Sequence, residues 1–189
     1  MSERTVEVRD ERTVSHTSPL MQTDIVRSSF ARGALAFLRI VVGWIFIWAF
    51  VDKLFGLGYS TPGERAWING GSPTFGFLSN ASGAFGDMFQ AMAGAAPFFD
   101  WLFMAGLLGI GVALVTGAGV KLAAITGTLL VFMMYLATFP LGQEGATNPL
   151  TTAHWIEAAA MITVAATRAG DTFGLGKWWS TIVGDSILR

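Results

Sequence analysis

Two ionisable side chains lie near the start of an apolar stretch in the last quarter of the chain. His154 and Glu157 are three residues apart, so a helix places them on one face. The histidine can titrate near neutral pH, and the pair could hold a proton, an anion or a polar headgroup. A carboxylate inside a membrane span is costly to bury and needs a partner.

Three further ionisable residues reach the same predicted depth from two other helices. Asp52 and Lys53 end one apolar stretch, and Asp100 begins the next. Shared hydrogen bonds or ion pairs would relieve the cost of burying all five, and Lys53 is the natural partner of Glu157 or Asp52. The functional interpretation is a polar pocket in which Lys53, His154 and Glu157 are the catalytic candidates. The alternative is a structural ion-pair cluster that locks helix ends together, with Lys53 extending to water.

Arg39 lies in the other half of the first apolar stretch, apart from Asp52 and Lys53. It is about 12 Å into that helix at 1.5 Å per residue, and no carboxylate lies at that depth in the other stretches. An unpaired arginine there predicts contact with an anionic ligand, a lipid phosphate or a partner subunit. Extension of its side chain to the near membrane surface is the alternative.

The composition explains why these charges matter. Hydrophobic residues make up 52% of the 189-residue chain and charged residues only 13%, about half the usual share in soluble domains. Because about 20 apolar residues cross a bilayer, we predict an all-α integral membrane protein, a four-helix transmembrane bundle. The predicted spans are residues 30–55, 98–116, 120–139 and 152–167.

A loop of residues 59–97 connects the first two spans within the membrane domain, 29–170. Residues 72–78 and 85–92 predict two short apolar helices, too short to span, that lie in the interface or cap the bundle. A loop of this length is often a lid or a binding surface. Passive packing is the alternative.

Polar segments flank the membrane domain. Residues 1–28 mix both signs of charge and predict a cytoplasmic tail that is disordered unless it binds a partner. Residues 171–189 form a C-terminal segment. Basic residues concentrate beside both termini, so the positive-inside rule predicts that both lie in the cytoplasm.

Four small residues recur at intervals of four on the second span: Ala105, Gly109, Ala113 and Gly117. Such a stripe allows helices to approach closely. It could form a groove for a flat ligand or a partner helix, or it could serve packing within the bundle.

Several classes of site are excluded. The chain has no cysteine, hence no thiolate ligands. Di-iron bundles need two Glu-x-x-His repeats, whereas His154 precedes Glu157, so we predict no metal and no covalent cofactor. The net charge of −1 does not favour nucleic-acid binding. Membrane lipids and other membrane subunits are the expected partners, with residues 1–28 as a candidate contact.

Six stretches together resemble the DoxX family, in particular its DoxD-like branch, the membrane subunits associated with thiosulfate:quinone oxidoreductase. The likeness covers roughly residues 35–180. The stretches are 38–43 (LRIVVG), 52–56 (DKLFG), 70–78 (GGSPTFGFL), 106–111 (GLLGIG) leading to 121–123 (KLA), 148–154 (NPLTTAH) and 174–179 (GLGKWW).

The resemblance implies a multi-pass protein of the bacterial cytoplasmic (inner) membrane with a link to quinone chemistry. The expected function is a non-catalytic or co-catalytic subunit of a quinone-linked respiratory or thiosulfate-oxidising complex, with quinone as the ligand. The alternatives are a thiosulfate:quinone oxidoreductase in its own right and a small transporter. Thr151-Thr152-Ala153 stands where the family tends to place acids between Asn-Pro and His.

Overall fold

A computed structural model describes residues 19–141 and 145–189. The regular secondary structure of these residues is helical. The α-helices are α1 (Gln22–Ile25), α2 (Ser29–Phe55), α3 (Phe75–Ser79), α4 (Gly86–Met92), α5 (Ala96–Thr116), α6 (Val120–Ala137), α7 (Ala153–Ala166) and α8 (Gly176–Val183). Single 3₁₀ turns are Gly63–Arg65, Trp67–Asn69, Gly83–Phe85, Ala93–Ala95 and Ala169–Asp171.

Three helical runs are long and apolar enough to cross a membrane: α2, residues 83–116 ending in α5, and α6. The four predicted spans therefore correspond to helices with similar bounds, but they do not all meet the length criterion. The last, α7, has 14 residues and is about 21 Å long at 1.5 Å per residue. Its crossing of the membrane stays a prediction.

Local signals set the ends of these helices. The Ser28 hydroxyl accepts a hydrogen bond from the Ala31 N–H at 3.3 Å and caps the start of α2. Gly56 ends α2 in the left-handed conformation, which glycine adopts without a steric penalty. The turn between α5 and α6 places Gly117 and Gly119 in that same conformation. As a result α6 returns antiparallel to α5.

The four long helices enclose one apolar core. Helix α2 packs against α5, α6 against α7, and contacts between α5 and α6 and between α2 and α7 close the arrangement. Met104, Leu114, Met161 and Val164 are among its fully buried side chains. We call the end that holds residues 20–32, 117–121 and 167–189 the basic end, and the opposite end, which holds residues 56–95, the loop end.

Close contact between α2 and α5 depends on Gly43 and Gly111, not on the predicted stripe. A Cβ on Gly111 would lie 2.6 Å from Cγ1 of Ile47, whereas one on Gly109 would contact nothing within 4 Å. Ala105 and Gly109 are exposed, so the half of the stripe nearer the loop end faces away from the bundle. The interval of four places these small residues along one side of α5, but the sequence alone does not show whether that side faces the bundle.

Large apolar side chains cover the outside of the bundle. Phe37, Leu102, Leu129 and Ile156 are each between 58% and 75% exposed. An apolar surface this extensive is rare on soluble monomers. It indicates contact with membrane lipid.

At the loop end, α4 falls within the second predicted short helix, and α3 overlaps the first and ends one residue beyond it. Leu78 and Phe89, one from each, are buried with Ala81 and Ala137 in a second apolar cluster. The loop is thus packed onto the end of α6. Whether it lies in the membrane interface stays a prediction.

Candidate functional site

A cavity of about 830 Å³ lies between the loop and helices α5 and α6. Large apolar residues from both sides form one part of its wall: Phe75, Phe77, Leu78, Phe89, Met92, Phe99, Leu102, Phe103, Leu130, Met133 and Met134. Polar side chains, including Lys53, Ser60 and Asn69, line another part. This volume is in the range of small-molecule sites, which are mostly apolar with a few polar groups. We call it the loop-end cavity.

Lys53 lines the cavity at the end of a short hydrogen-bonded chain. Its Nζ donates to Oγ of Ser60 at 3.4 Å, and the Ser60 hydroxyl donates to Oδ2 of Asp52 at 2.6 Å. An ammonium group has three N–H donors, and this long bond is the one recorded for Nζ within the described residues. Donor capacity therefore remains for a ligand acceptor in the cavity.

Asp52 fixes the start of the loop. Its carboxylate is 1% exposed and also accepts hydrogen bonds from the backbone N–H groups of Tyr59, at 3.2 Å, and Ser60, at 2.9 Å. These bonds replace the water that burial removes. They also hold Ser60 next to Lys53, so Asp52 positions this polar edge of the cavity.

Asp100 fixes the opposite wall of the cavity. Its Oδ1 accepts hydrogen bonds from the Ser72 hydroxyl at 3.0 Å and from the Thr74 N–H and hydroxyl at 2.8 and 2.7 Å. Asp100 is 5% exposed. Through Asp100, α5 holds the segment that leads into α3.

His154 and Glu157 form a separate pair. Nδ1 of His154 is 3.2 Å from Oε2 of Glu157, and each side chain is 23% exposed. Neither residue lines the loop-end cavity. The five residues of the predicted cluster thus make three local arrangements: Asp52 with Lys53, Asp100 with loop hydroxyls, and His154 with Glu157.

No ion pair within 4 Å joins two of these helices among the residues that the structure describes. The five residues were predicted to lie at one membrane depth and to pair across helices. In the structure each acid finds its partners on its own helix or in the nearby loop. The sequence-based interpretation missed the role of Ser60, Ser72 and Thr74. Their position in the loop that follows Asp52 was the available signal.

Arg39 has no exposed surface, and its partners among the described residues are all backbone carbonyls. Two of its acceptors, Leu114 and Val115, lie in the last turn of α5, where the helix dipole places partial negative charge. The others belong to the segment after α7: Ala169 at 3.2 Å, Thr172 at 3.4 Å and Phe173 at 2.9 Å. The guanidinium therefore lies inside the protein and not on a ligand-facing or lipid-facing surface.

Glycine makes room for this guanidinium. A Cβ on Gly117 would lie 2.9 Å from Nη1 of Arg39, and one on Gly174 would lie 2.9 Å from Nη2. Gly117 also has a φ of +80°, which disfavours other residues. The end of the predicted stripe thus contributes to a carbonyl-lined site for Arg39.

Metal ligands do not cluster in the described part of the chain, where no group of three His, Asp or Glu side chains could hold an ion. Comparison of the chain with protein-family models, with curated proteins and with solved structures finds no match. The resemblance to DoxX proteins therefore stays a prediction from the motifs.

Proposed function

We propose that the chain is a four-span membrane subunit that binds a quinone in the loop-end cavity and acts within a redox complex. The cavity carries the proposal: it joins aromatic and methionine walls to a lysine that has free donors. Isoprenoid quinones combine a flat headgroup bearing two carbonyl acceptors with an apolar tail. A cavity of about 830 Å³ can hold the headgroup and the first part of the tail.

The arrangement assigns a role to each side of the cavity. Lys53 donates a hydrogen bond to one quinone carbonyl, and Ser60 with Asp52 holds the Lys53 ammonium in place and links it to a carboxylate. Phe99 and Phe103 pack against the ring and the tail. A bound quinone supplies two-electron, two-proton redox chemistry. Lys53 would bind and orient it, and Asp52 would hold Lys53 in place through Ser60.

Charge asymmetry supports the membrane placement. Among the described residues outside the helix core, the basic end carries six cations and three acids: Arg27, Arg32, Lys121, Arg168, Lys177 and Arg189 against Asp24, Asp171 and Asp185. The loop end carries two cations and five acids: Lys53 and Arg65 against Asp52, Glu64, Asp87, Asp100 and Glu157. By the positive-inside rule the basic end faces the cytoplasm.

The half of the small-residue stripe that faces away from the bundle is consistent with a subunit role. Ala105 and Gly109 face outward on α5, where a helix from another subunit could pack closely. The resemblance to DoxD-like subunits supports the same role. Residues 1–18 of the predicted partner-binding tail lie outside the described residues.

The test uses the tagged full-length chain, extracted in mild detergent with its partners. Mass spectrometry identifies co-purifying subunits, and a photoreactive quinone analogue labels the eluate. We expect redox subunits in stoichiometric amount, and label on residues that line the cavity. Lys53→Met should lower labelling at least about tenfold, because a hydrogen bond from a charged donor contributes about 1.5–3 kcal/mol.

Lys177→Met is the matched control, since Lys177 is exposed at the basic end. It should label as the unaltered protein does. Equal labelling of both variants would refute the cavity as the quinone site. Recovery of the chain without any partner would refute the subunit role, even if labelling at the cavity is normal.

A further inference from the structure

A second cavity runs along the outside of the bundle between α6 and α7. It has a volume of about 780 Å³ and is open to the side. Its apolar walls come from both helices and from the segments at the basic end. The wall residues are Leu20, Ile25, Ala124, Ile125, Leu129, Phe132, Ile162, Ala165, Ala166 and Ile187. We call it the α6–α7 groove.

The charged residues of this groove have one sign and one location. Among the described lining residues they are Lys121 and Arg168, and both lie at the basic end. Ile125, Leu129 and Phe132 continue along α6 from Lys121. An anionic group at the basic end, attached to an apolar chain, would match this pattern.

The length of the groove corresponds to one leaflet of a bilayer. From Lys121 to Phe132 the helix rises about 16 Å at 1.5 Å per residue. Half of a hydrocarbon core of about 30 Å is close to that distance. The cations therefore lie near the level of lipid phosphates when Phe132 lies near the membrane midplane.

Both cations keep donors for a further acceptor. Nζ of Lys121 donates to the carbonyls of Asp185 and Ser186 at 3.2 Å each, which leaves a third N–H. The bonds recorded for the Arg168 side chain within the described residues all leave from Nη1, to the Leu20 carbonyl and to Oδ1 of Asp185. Its Nε and Nη2 can thus bind a phosphate.

These cations share the acidic side chains near them. Asp185 accepts hydrogen bonds from Arg168 and also from Arg189, and Arg189 makes a second ion pair with Asp171. Three cations, including Lys121, thus share two carboxylates. The side-chain carboxylates of this network are therefore fewer than its cations.

The wall also contains an unsatisfied hydroxyl. Oγ1 of Thr128 is buried and has no hydrogen-bond partner in the described residues, although it belongs to a residue that lines the groove. A buried donor without an acceptor is costly.

We propose that the α6–α7 groove is a binding site for an anionic phospholipid. The phosphate lies against Lys121 and Arg168, and one acyl chain lies along Ile125, Leu129 and Phe132. Basic sites between membrane helices at the cytoplasmic side are suited to such headgroups. This site is at the opposite end of the bundle from the loop-end cavity and does not depend on quinone binding there.

The experiment measures lipid binding to the full-length protein by native mass spectrometry in detergent. The probes are phosphatidylglycerol and phosphatidylcholine with identical acyl chains. We expect phosphatidylglycerol to bind more tightly. The double variant Lys121→Gln/Arg168→Gln should weaken its binding about 30-fold, because each cation near an anionic membrane surface contributes a factor of about five.

Arg27→Gln/Lys177→Gln is the matched control, since both cations are exposed at the basic end and neither lines the groove. It should bind phosphatidylglycerol as the unaltered protein does. Because Arg168 also holds Leu20 and Asp185, a second variant leaves the cations in place. Leu129→Trp fills the acyl part of the groove at a position that is 58% exposed, so it should lose phosphatidylglycerol binding without a change in unfolding temperature in lipid-free detergent.

Three results would overturn the proposal. Equal binding of the two lipids would show an unspecific lipid surface. Unchanged phosphatidylglycerol binding by Leu129→Trp would place the lipid elsewhere. Inorganic phosphate that stabilises the protein as much as the lipid does would show an anion site that makes no use of the groove.

Discussion

At the scale of single residues, the structure resolves how a charge is buried without a counter-ion. Arg39 donates to five carbonyls from two separate segments of the chain. Each carbonyl is a partial negative charge that water no longer reaches, and the two from α5 also carry the negative end of the helix dipole. The guanidinium therefore joins α2, the end of α5 and the segment after α7.

Arg39→Lys tests this role, because lysine keeps the charge but offers three donors on one nitrogen. We expect the free energy of unfolding to fall by about 3 kcal/mol, since carbonyls would be left unpaired. Thermal unfolding in detergent, followed by tryptophan fluorescence, measures the loss. Arg32→Lys is the control, since Arg32 donates to the nearby carbonyls of Val26 and Arg27, which a lysine can also reach. Equal stability of the two variants would contradict the assignment.

At the scale of helices, α2 and α5 make a close packing contact. Gly111 lies against Ile47, and an added Cβ would also come within 2.9 Å of the Ile47 backbone nitrogen. A backbone atom cannot move aside as a side chain can, so Gly111→Ala must separate the helices or distort them. We expect a loss of about 1–3 kcal/mol of stability, typical of overpacking.

Gly109→Ala is the matched control on the same helix. Its Cβ would contact nothing within 4 Å, and alanine favours a helix over glycine by about 1 kcal/mol. The variant should be as stable as the unaltered protein or more so, as measured by unfolding temperature in the same detergent. If both alanine variants lose stability alike, the helix contact is not the one described.

The helices themselves could be predicted from the sequence, but their rotation and partners could not. Apolar length and glycine turns indicated the bounds of α2, α5, α6 and α7 to within two residues, because hydropathy and chain reversal are local properties. Rotation is a tertiary property, so the sequence could not decide between the two contacts open to the stripe; Ala105 and Gly109 are exposed on the outside of α5. The partners of Arg39 are carbonyls, which every residue carries, and so no side-chain pattern could reveal them.

For the whole molecule, the two ends of the described chain meet at the basic end. The carboxylate of Asp171 accepts a hydrogen bond from the Gln22 N–H at 2.9 Å, and Asp185 accepts one from the Leu20 N–H at 3.0 Å. Arg168 and Arg189 both donate to the Leu20 carbonyl. Residues 20–25 are therefore part of the folded unit and close the basic end of the bundle.

Acid should weaken this closure through Asp185. The hydrogen bond from Arg168, and then that from the Leu20 N–H, holds the pKa of Asp185 far below its ordinary value of 3.8. A lowered pKa in the folded protein stabilises it at pH values above 3.8, and this contribution is lost as the pH falls below that value. Asp185 is 41% exposed, so added salt should reduce the effect.

The measurement is the ¹⁹F resonance of 5-fluorotryptophan at Trp179, whose Nε1 donates to the Leu188 carbonyl at 2.6 Å. The resonance should keep its position from pH 6 to below 3.8 and shift only in stronger acid, because the folded protein holds Asp185 ionised until then. Asp185→Asn should show the shifted resonance already at pH 6, because the carboxylate is lost at every pH. Asp87→Asn, at an exposed position on α4, should follow the unaltered protein. An unchanged titration in Asp185→Asn would contradict the role given to Asp185.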